Sequence, residues 1–389
     1  MRKSLLLLLA LAWGAICCQA QLPTDGYYRV QNYGSQRYAY LCDKTGSINY
    51  GTQNADVGAI QLWRGIERTY DDPASVIYVK SMGGSSYDLQ AQGTGLYEII
   101  SHYVSIYEAK PNQYQVYASS NGVTKYLSDS NTDAGSDKGV PSFNGNGIYR
   151  LWSVFPIDEE DNYLGITPTI SVDGKHYASF FASFPFRRVS SALKFYAIVE
   201  VDKEYGVAIM EEITSDIIPA AMPMIVECPS ETSLGNKIMP VTETSSARGG
   251  NLLRGVYFCN NRRVSDYVGT PFDAATMRTL AILPDGTIGF NDAPDNLTEV
   301  QIKYVPRLCL PANSAYLSVT DGTPAELRMM NRADYEDYIQ AVGIEDHFAE
   351  NTPQAIYALD GRQSATLRRG VNIVRMSDGS IKKILKVGN

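Results

Sequence analysis

The sequence predicts an all-β chain, and three observations lead there. A glycine and a tyrosine four residues apart recur as Gly34 with Tyr38, Gly83 with Tyr87 and Gly122 with Tyr126, each after a short β-prone run (YYRVQN, VIYVKS, YQVYAS). Further along, short apolar runs are punctuated by Pro and by Asp-Gly pairs, the turn chemistry of hairpins. Helical periodicity is nearly absent from Asp25 to about Asp158. Three copies of one strand-turn-strand unit predict a pseudo-threefold β-trefoil over residues 21–160, an architecture used more often to hold ligands than to transform them.

Ahead of it, Arg2 and Lys3 precede an apolar run from Leu5 to Cys18 and a small-residue exit ending in Ala20. This reads as a signal peptide over residues 1–20. The run is too short to span a bilayer, and no later segment reads as a membrane helix. Ile16 before Cys17, and Cys17 before Cys18, argue for cleavage after Ala20 over lipidation.

The formal net charge is −8 and no long basic run occurs, so nucleic acid is not an expected partner. Tyrosine is abundant, 27 against 11 Phe and 3 Trp, and its ring can pack while its hydroxyl meets water or a sugar. Half-buried strand packing accounts for most of these tyrosines.

After the trefoil, Asp158, Glu159, Glu160 and Asp161 lack the oxygen spacing of a calcium loop and read as a solvated linker. Residues 165–325 follow as a β-rich, antiparallel sandwich-like domain, through DGKHYASFFASFPF, YAIVEV, PMIVEC, LLRGVYFC, RTLAILPDGTIGF and AYLSV. The Asp173-Gly174 and Asp285-Gly286 pairs mark its turns. Helix formers at Arg332–Ala341 predict one short helix within a helix-and-tether segment, 326–353. The remainder, 354–389, reads as three strands joined through Asp360-Gly361 and Asp378-Gly379, too few residues to bury much core alone.

The signals for chemistry are sparse. His102, His176 and His347 are the only histidines, and no G-x-S-x-G, H-E-x-x-H or Walker loop accompanies them. No Cys/His cluster suggests a metal, and no cofactor is expected. Beyond the signal, Cys42, Cys228, Cys259 and Cys309 allow two disulfides or four buried thiols. A Cys-His pair between Cys228 or Cys259 and His176 is conceivable, as is a carboxylate pair at Glu211-Glu212, though adjacent strand residues face opposite ways. The chain is expected not to be an enzyme.

Three resemblances add to this. The stretch Asp25–Trp63 resembles ricin-type trefoil lectin modules: Asp43 follows the second strand of lobe one, and Gln61-Leu62-Trp63 is a Q-x-W match. Lobe three offers Asp129 in KYLSD and Trp152 in Arg150-Leu151-Trp152. Lobe two has neither a matching aspartate nor a Q-x-W. The resemblance implies that the aspartates accept hydrogen bonds from sugar hydroxyls, with Gln61 as a further polar contact and Trp63 and Trp152 as packing or platform residues. Residues 165–320 are similar to a β domain common in secreted proteins of Gram-negative anaerobes, by DGKHYASFFASFPF, IIPAAMPMIVEC, NLLRG and LPANSAYL in that order. The last segment is similar to C-terminal sorting domains of type IX secretion substrates, by IYALDGR, RRGVNIV and IKKILKV.

Together these imply an exported, non-enzymatic carbohydrate-binding protein whose tail contacts the secretion machinery. It would stand outside the cell or on its outer surface, or in the periplasm if the tail is not a sorting signal. The alternatives are a glycoside hydrolase or other hydrolase with a trefoil targeting module, and a purely structural or protein-binding surface protein.

Overall fold

The computed structural model describes residues 23–41, 48–50, 53–55, 60–64, 70–91, 104–120, 122–133, 138–139, 141–142, 146–246, 249–256, 270–302, 305–350, 353–377 and 379–386. The expected signal at 1–20, Cys42, Asp43, His102 and Cys259 lie outside the described residues, as do the side chains of Gln61, Trp63 and His347. The fold is all-β, and among the described residues one α-helix element and short 3-10 turns interrupt the strands.

The N-terminal module comprises β1 (Gly26–Asn32), β2 (Arg37–Leu41), β3 (Ile48–Tyr50), β4 (Gln53–Ala55), β5 (Ile60–Arg64), β6 (Ile77–Gly83) and β7 (Ser86–Ala91). It continues with β8 (Val104–Lys110), β9 (Gln113–Ser120), β10 (Val123–Tyr126), β11 (Ser128–Asp129), β12 (Lys138–Gly139), β13 (Pro141–Ser142) and β14 (Leu151–Pro156). Pairing runs β1-β6-β7-β8-β9, and β14 pairs with both β9 and β1. Six strands thus close into a ring, which removes free sheet edges. The branch β1-β2-β5-β12 leaves that ring.

The hairpins β1-β2, β6-β7 and β9-β10 are the three sequence repeats. The pairs β14-β1 and β8-β9 each join the end of one lobe to the start of the next. Among the described residues β5 does not make the equivalent pairing to β6, which lies against β1 instead. The module is therefore β-trefoil-like with an imperfect threefold relation.

The repeated glycines do not share one role. Gly83 and Gly122 take φ of +100° and +76°, a region that favours glycine in tight turns. Gly34 is needed for a close approach: a Cβ there would lie 2.9 Å from Cδ1 of Tyr149 and 3.0 Å from its backbone nitrogen. The left-handed position of that turn falls to Gln36, at φ 59°.

Period-two alternation explains why YYRV and VIYV are apolar on both faces. Tyr28, Val30, Ile77 and Val79 pack inside the ring with Trp152, while Tyr27, Val76 and Tyr78 face the next domain and join its core. The Tyr27 ring lies 5.0 Å from Tyr78 and 5.6 Å from Phe184, centroid to centroid. Burying each such ring is worth about 2 kcal/mol. The outer face of these two strands thus completes a hydrophobic core of the middle region, while the ring keeps a core of its own.

The acidic stretch between them exposes Glu160 and Asp161, as a solvated segment would, but it is tied down on both sides. Glu159 pairs with Arg187, and the Lys237 ammonium donates to the carbonyl oxygens of Glu159 and Glu160 at 2.5 and 3.3 Å. From the other side the buried Arg29 guanidinium donates to the Asn162 carbonyl at 3.1 Å and its Oδ1 at 2.8 Å. Tyr70 and Tyr163 stack at 4.5 Å across the junction, with Arg29 over the first ring and Lys237 over the second.

The middle region contains β15 (Leu164–Gly165), β16 (Ile170–Val172), β17 (Lys175–Phe180), β18 (Phe186–Arg188), β19 (Lys194–Asp202), β20 (Val207–Glu212), β21 (Ile217–Ile218) and β22 (Met224–Cys228). It ends with β23 (Lys237–Pro240), β24 (Leu253–Gly255), β25 (Met277–Ile282), β26 (Ile288–Asn291), β27 (Thr298–Ile302), β28 (Val305–Cys309), β29 (Ala315–Ser318) and β30 (Glu326–Asn331). Ten strands form one sheet, β16-β17-β22-β19-β20-β30-β26-β25-β29-β24, and β15-β23-β18-β21 form a second. The long sheet curls until β16 meets β25 and β17 meets β29. Strands β17, β22 and β19 are buried on both faces: Phe180, Phe195 and Val226 face the small sheet, while Tyr177, Tyr196 and Ile225 face the inside of the curl.

This corrects the expected antiparallel sandwich in one respect. Strands β20 and β30 run parallel, Val207 opposite Arg328, because β30 enters the sheet from a distant part of the chain. The Asp173-Gly174 turn does close β16-β17, with φ of 50° and 74°. Three motifs meet at Phe181: its backbone exchanges hydrogen bonds with Asn313 of LPANSAYL, and its ring occupies the space where a Cβ on Gly255 of NLLRG would lie.

The helix, α1 (Arg332–Glu350), is longer than the expected Arg332–Ala341 and takes in the presumed tether. Asn331 caps it, its Oδ1 accepting from the Asp334 amide at 2.8 Å while its amide donates to Asp334 Oδ2. No described helix is long and apolar enough to cross a membrane. The C-terminal unit has four strands where three were expected: β31 (Pro353–Ala358), β32 (Gln363–Ser364), β33 (Gly370–Met376) and β34 (Ile381–Lys386), ordered β32-β31-β33-β34. The added β32 follows the Asp360-Gly361 turn, where Gly361 takes φ 79°. Val374, Met376 and Ile384 make its small core.

Candidate functional site

Of the five predicted ligand contacts, lobe three contributes two, and both are buried. Trp152 stands on β14 between Asn32 of β1 and Tyr114 of β9. It is 0% exposed, and its indole N–H donates to the Leu127 carbonyl at 2.9 Å. It is a core residue and not a platform.

Asp129 is equally buried, and Arg37 from β2 meets it with an Nη1 to Oδ2 distance of 2.5 Å. The same guanidinium donates to the carbonyl oxygens of Asn131, at 2.7 Å, and Asp133. Asp129 Oδ1 accepts the Asn131 amide and Asn131 Oδ1 accepts the Asp133 amide, so the loop winds around the cation. Removing a carboxylate from water is tolerable only when charge and hydrogen bonds replace the lost hydration. Here they do so from within the protein. The expectation that Asp129 meets a ligand is corrected on this ground, and of the two roles expected of Trp152 it takes packing and not platform.

Lobe one is arranged differently. Gln61 and Trp63 lie on β5, in register with Tyr40 and Tyr38 of β2, on the branch outside the ring. The turn ahead of β2 is built on Asn32, whose Oδ1 accepts the Gly34 and Ser35 amides while its amide donates to the Tyr149 carbonyl at 2.7 Å.

The chemical alternatives are weakened by their geometry. His176 and Cys228 are indeed opposite each other on β17 and β22. Yet burial, helped by Glu227, pushes the Cys228 thiol up to about 12, so it is protonated at neutral pH and is no nucleophile. His176 Nδ1 lies 2.8 Å from Ser171 Oγ. Cys228 and Cys309 are buried free thiols. Glu211 and Glu212 pair with Ala197 and Tyr196 in the β19-β20 ladder, facing opposite ways, and the ladder's register shift falls beyond them, between Ile198 and Glu200. Among the described residues no group of His, Cys, Asp and Glu is placed to hold a metal ion.

Two features escaped the sequence reading. One is the pair of buried arginines, Arg29 and Arg37, whose signal was a charge inside an apolar strand run. The other is an open cleft of about 380 Å³ lined by segments near residues 205, 284, 327 and 338, which share no motif.

No family model matches the chain, and no curated protein matches it. Solved structures give slight likenesses. A designed threefold-symmetric protein, ThreeFoil, aligns at 13% identity and a TM-score of 0.25 over 34% of this chain and 100% of its own. A ricin B-like lectin of Macrolepiota procera, in complex with lactose, aligns at 12% identity and 0.26 over 35% and 99%. A mosquitocidal holotoxin aligns at 7% identity and 0.26 over 76% of this chain, which spans about half (51%) of the toxin's length. It is the closed ring with its three hairpins that makes the N-terminal module trefoil-like.

Proposed function

We propose that this is an exported, non-enzymatic protein that binds carbohydrate through lobe one of its N-terminal module, with Asp43 as acceptor for sugar hydroxyls, Gln61 as a second polar contact and Trp63 as the ring beneath the sugar. The observation that carries this reading is the contrast between lobes. In lobe three the equivalent aspartate and tryptophan are consumed by Arg37 and Leu127, whereas the Q-x-W strand of lobe one stands outside the ring. The C-terminal unit serves as the export address.

The test is a glycan array with the full chain, since cutting after residue 160 would strip the shared core from Tyr27 and Tyr78. Retention of at least one glycan, clearly weakened in Asp43→Ala and in Trp63→Ala but unchanged in the charge-matched control Glu243→Gln, is the expected result. No retention by the wild type refutes carbohydrate binding at this lobe. A second reading, a structural scaffold that only docks other proteins, draws on the shared core between the module and the middle domain. Absence of glycan retention would favour it. Turnover of a chromogenic glycoside by the full chain would overturn the non-enzymatic assignment. Deleting residues 354–389 in a host with type IX export should leave the protein in the periplasm.

A further inference from the structure

The cleft of about 380 Å³ beside α1 has walls from four separate segments: Tyr205 ahead of β20, Leu283 and Asp285 in the β25-β26 turn, Glu326 and Arg328 on β30, and Tyr338 on α1. Its volume is near the lower end of the range of about 300–1,000 Å³ for small-molecule sites. Those segments are held by regular structure. The β20-β30 and β26-β30 ladders fix the strands, and Asp285 accepts the Thr287 hydroxyl at 2.6 Å. Glu200 pairs with Arg332 at 2.7 Å and Asp202 accepts the Tyr335 hydroxyl at 2.6 Å, which anchor the helix.

The one cation of the lining is preoriented. Arg328 pairs with Asp285 at 2.7 Å and lies 5.4 Å from the Tyr338 ring centroid. A donor already fixed by a carboxylate and a ring loses little freedom when a ligand accepts from it. Two carboxylates, Asp285 and Glu326, against one guanidinium leave the lining net negative, which disfavours phosphate, sulfate or uronate. Leu283 is its buried apolar floor, too small an apolar area to hold a lipid or a large aromatic group.

We infer that this cleft binds a neutral mono- or disaccharide. Its hydroxyls donate to Glu326 and accept from Arg328, and the C–H face of one sugar ring lies on the ring face of Tyr205 or of Tyr338. This site is separate from lobe one and does not depend on it. It would give the chain two attachment points for one polysaccharide, in which case the second raises retention by effective concentration without new contacts.

The experiment uses the full chain carrying Asp43→Ala, with labelled leucine methyl groups, titrated with lactose, cellobiose, maltose and glucuronate. The expected result is a saturable shift of the Leu283 methyl signal with at least one neutral disaccharide and none with glucuronate. Glu326→Gln should weaken that binding about tenfold, and Tyr338→Ala should abolish it. Circular dichroism confirms that both variants are folded, and Glu326 is exposed enough for its variant to remain so. A silent Leu283 with all three disaccharides overturns the inference, as does a shift that survives both variants or appears equally with glucuronate. Because lobe one is disabled throughout, its failure and the failure of this cleft are read separately.

Discussion

Arg37 and Asp129, 92 positions apart in sequence, form a fully buried ion pair that ties lobe one to lobe three. The guanidinium also accounts for the fold of the 129–133 loop, whose carbonyl groups it gathers. Asp129→Ala leaves Arg37 charged and uncompensated, and the expected loss is about 3–5 kcal/mol by urea denaturation. Asp129→Asn should cost less. If Asp129→Ala lowers glycan retention while stability is unchanged, the assignment of Asp129 as structural is wrong.

Tyr27 presents the opposite case, a buried hydroxyl with no hydrogen-bond partner at the boundary of the two domains. Tyr27→Phe removes that unsatisfied group and keeps the ring against Tyr78 and Phe184. Its melting temperature should be unchanged or higher, by up to about 1 kcal/mol in stability. Tyr27→Ala should cost about 3–5 kcal/mol and lower the unfolding of both domains together.

Gly255 faces Phe181 so closely that a Cβ would lie 1.9 Å from Cδ2 of the ring. Gly255→Ala should therefore destabilise by about 3 kcal/mol through overpacking. Combining it with Phe181→Ala should give a coupling energy well above zero in a double-mutant cycle. Simple additivity would show that the close contact does not carry the cost.

The docking of α1 should depend on pH at both extremes. Burial pushes the Asp202 carboxyl up, but the Tyr335 hydroxyl and the amides of Tyr205 and Glu204 pull harder, and its pKa falls below the ordinary 3.8. A carboxylate lowered in the folded state adds stability above its unfolded pKa and loses it as pH falls through the folded one, here below 3.8. The same hydrogen bond raises the Tyr335 phenol to about 12. A phenol raised in this way adds stability below its unfolded value and loses it as pH climbs through about 12. Far-ultraviolet circular dichroism of wild type and Tyr335→Phe should differ least as pH falls well below 3.8 and above about pH 12, and most between them.

Cys228 and Cys309 should resist alkylation. Burial pushes both thiols up, and Cys228 reaches about 12. Iodoacetamide at pH 8 should label neither in the native protein and both in urea, read by peptide mass mapping. Rapid native labelling of Cys228 would mean that its core opens.

Much of the architecture was legible because strand, turn and cap signals are local. The hairpin repeats, the left-handed Asp173-Gly174 turn and the helix start at Arg332 each depend on a few neighbouring residues. The Phe181 junction was legible only as three motifs in order, since their meeting point is a matter of packing. The helix end was missed because Gly343 and the acidic residues after it read like a tether. The contacts that tie down the acidic stretch at 158–161 were not legible because its partners, Arg187 and Lys237, come later in the chain.

By itself the sequence determined that this chain is all-β and where its main turns fall, since those properties follow from side-chain period and backbone preference. Only the tertiary structure decided what the charged and aromatic groups do. Asp129 could face a sugar or a guanidinium until Arg37 was brought to it, and Trp152 could be platform or core until β14 closed the ring. A carboxylate's role is set by whichever opposite charge the fold delivers within a few ångströms, and that distance is not encoded in local pattern.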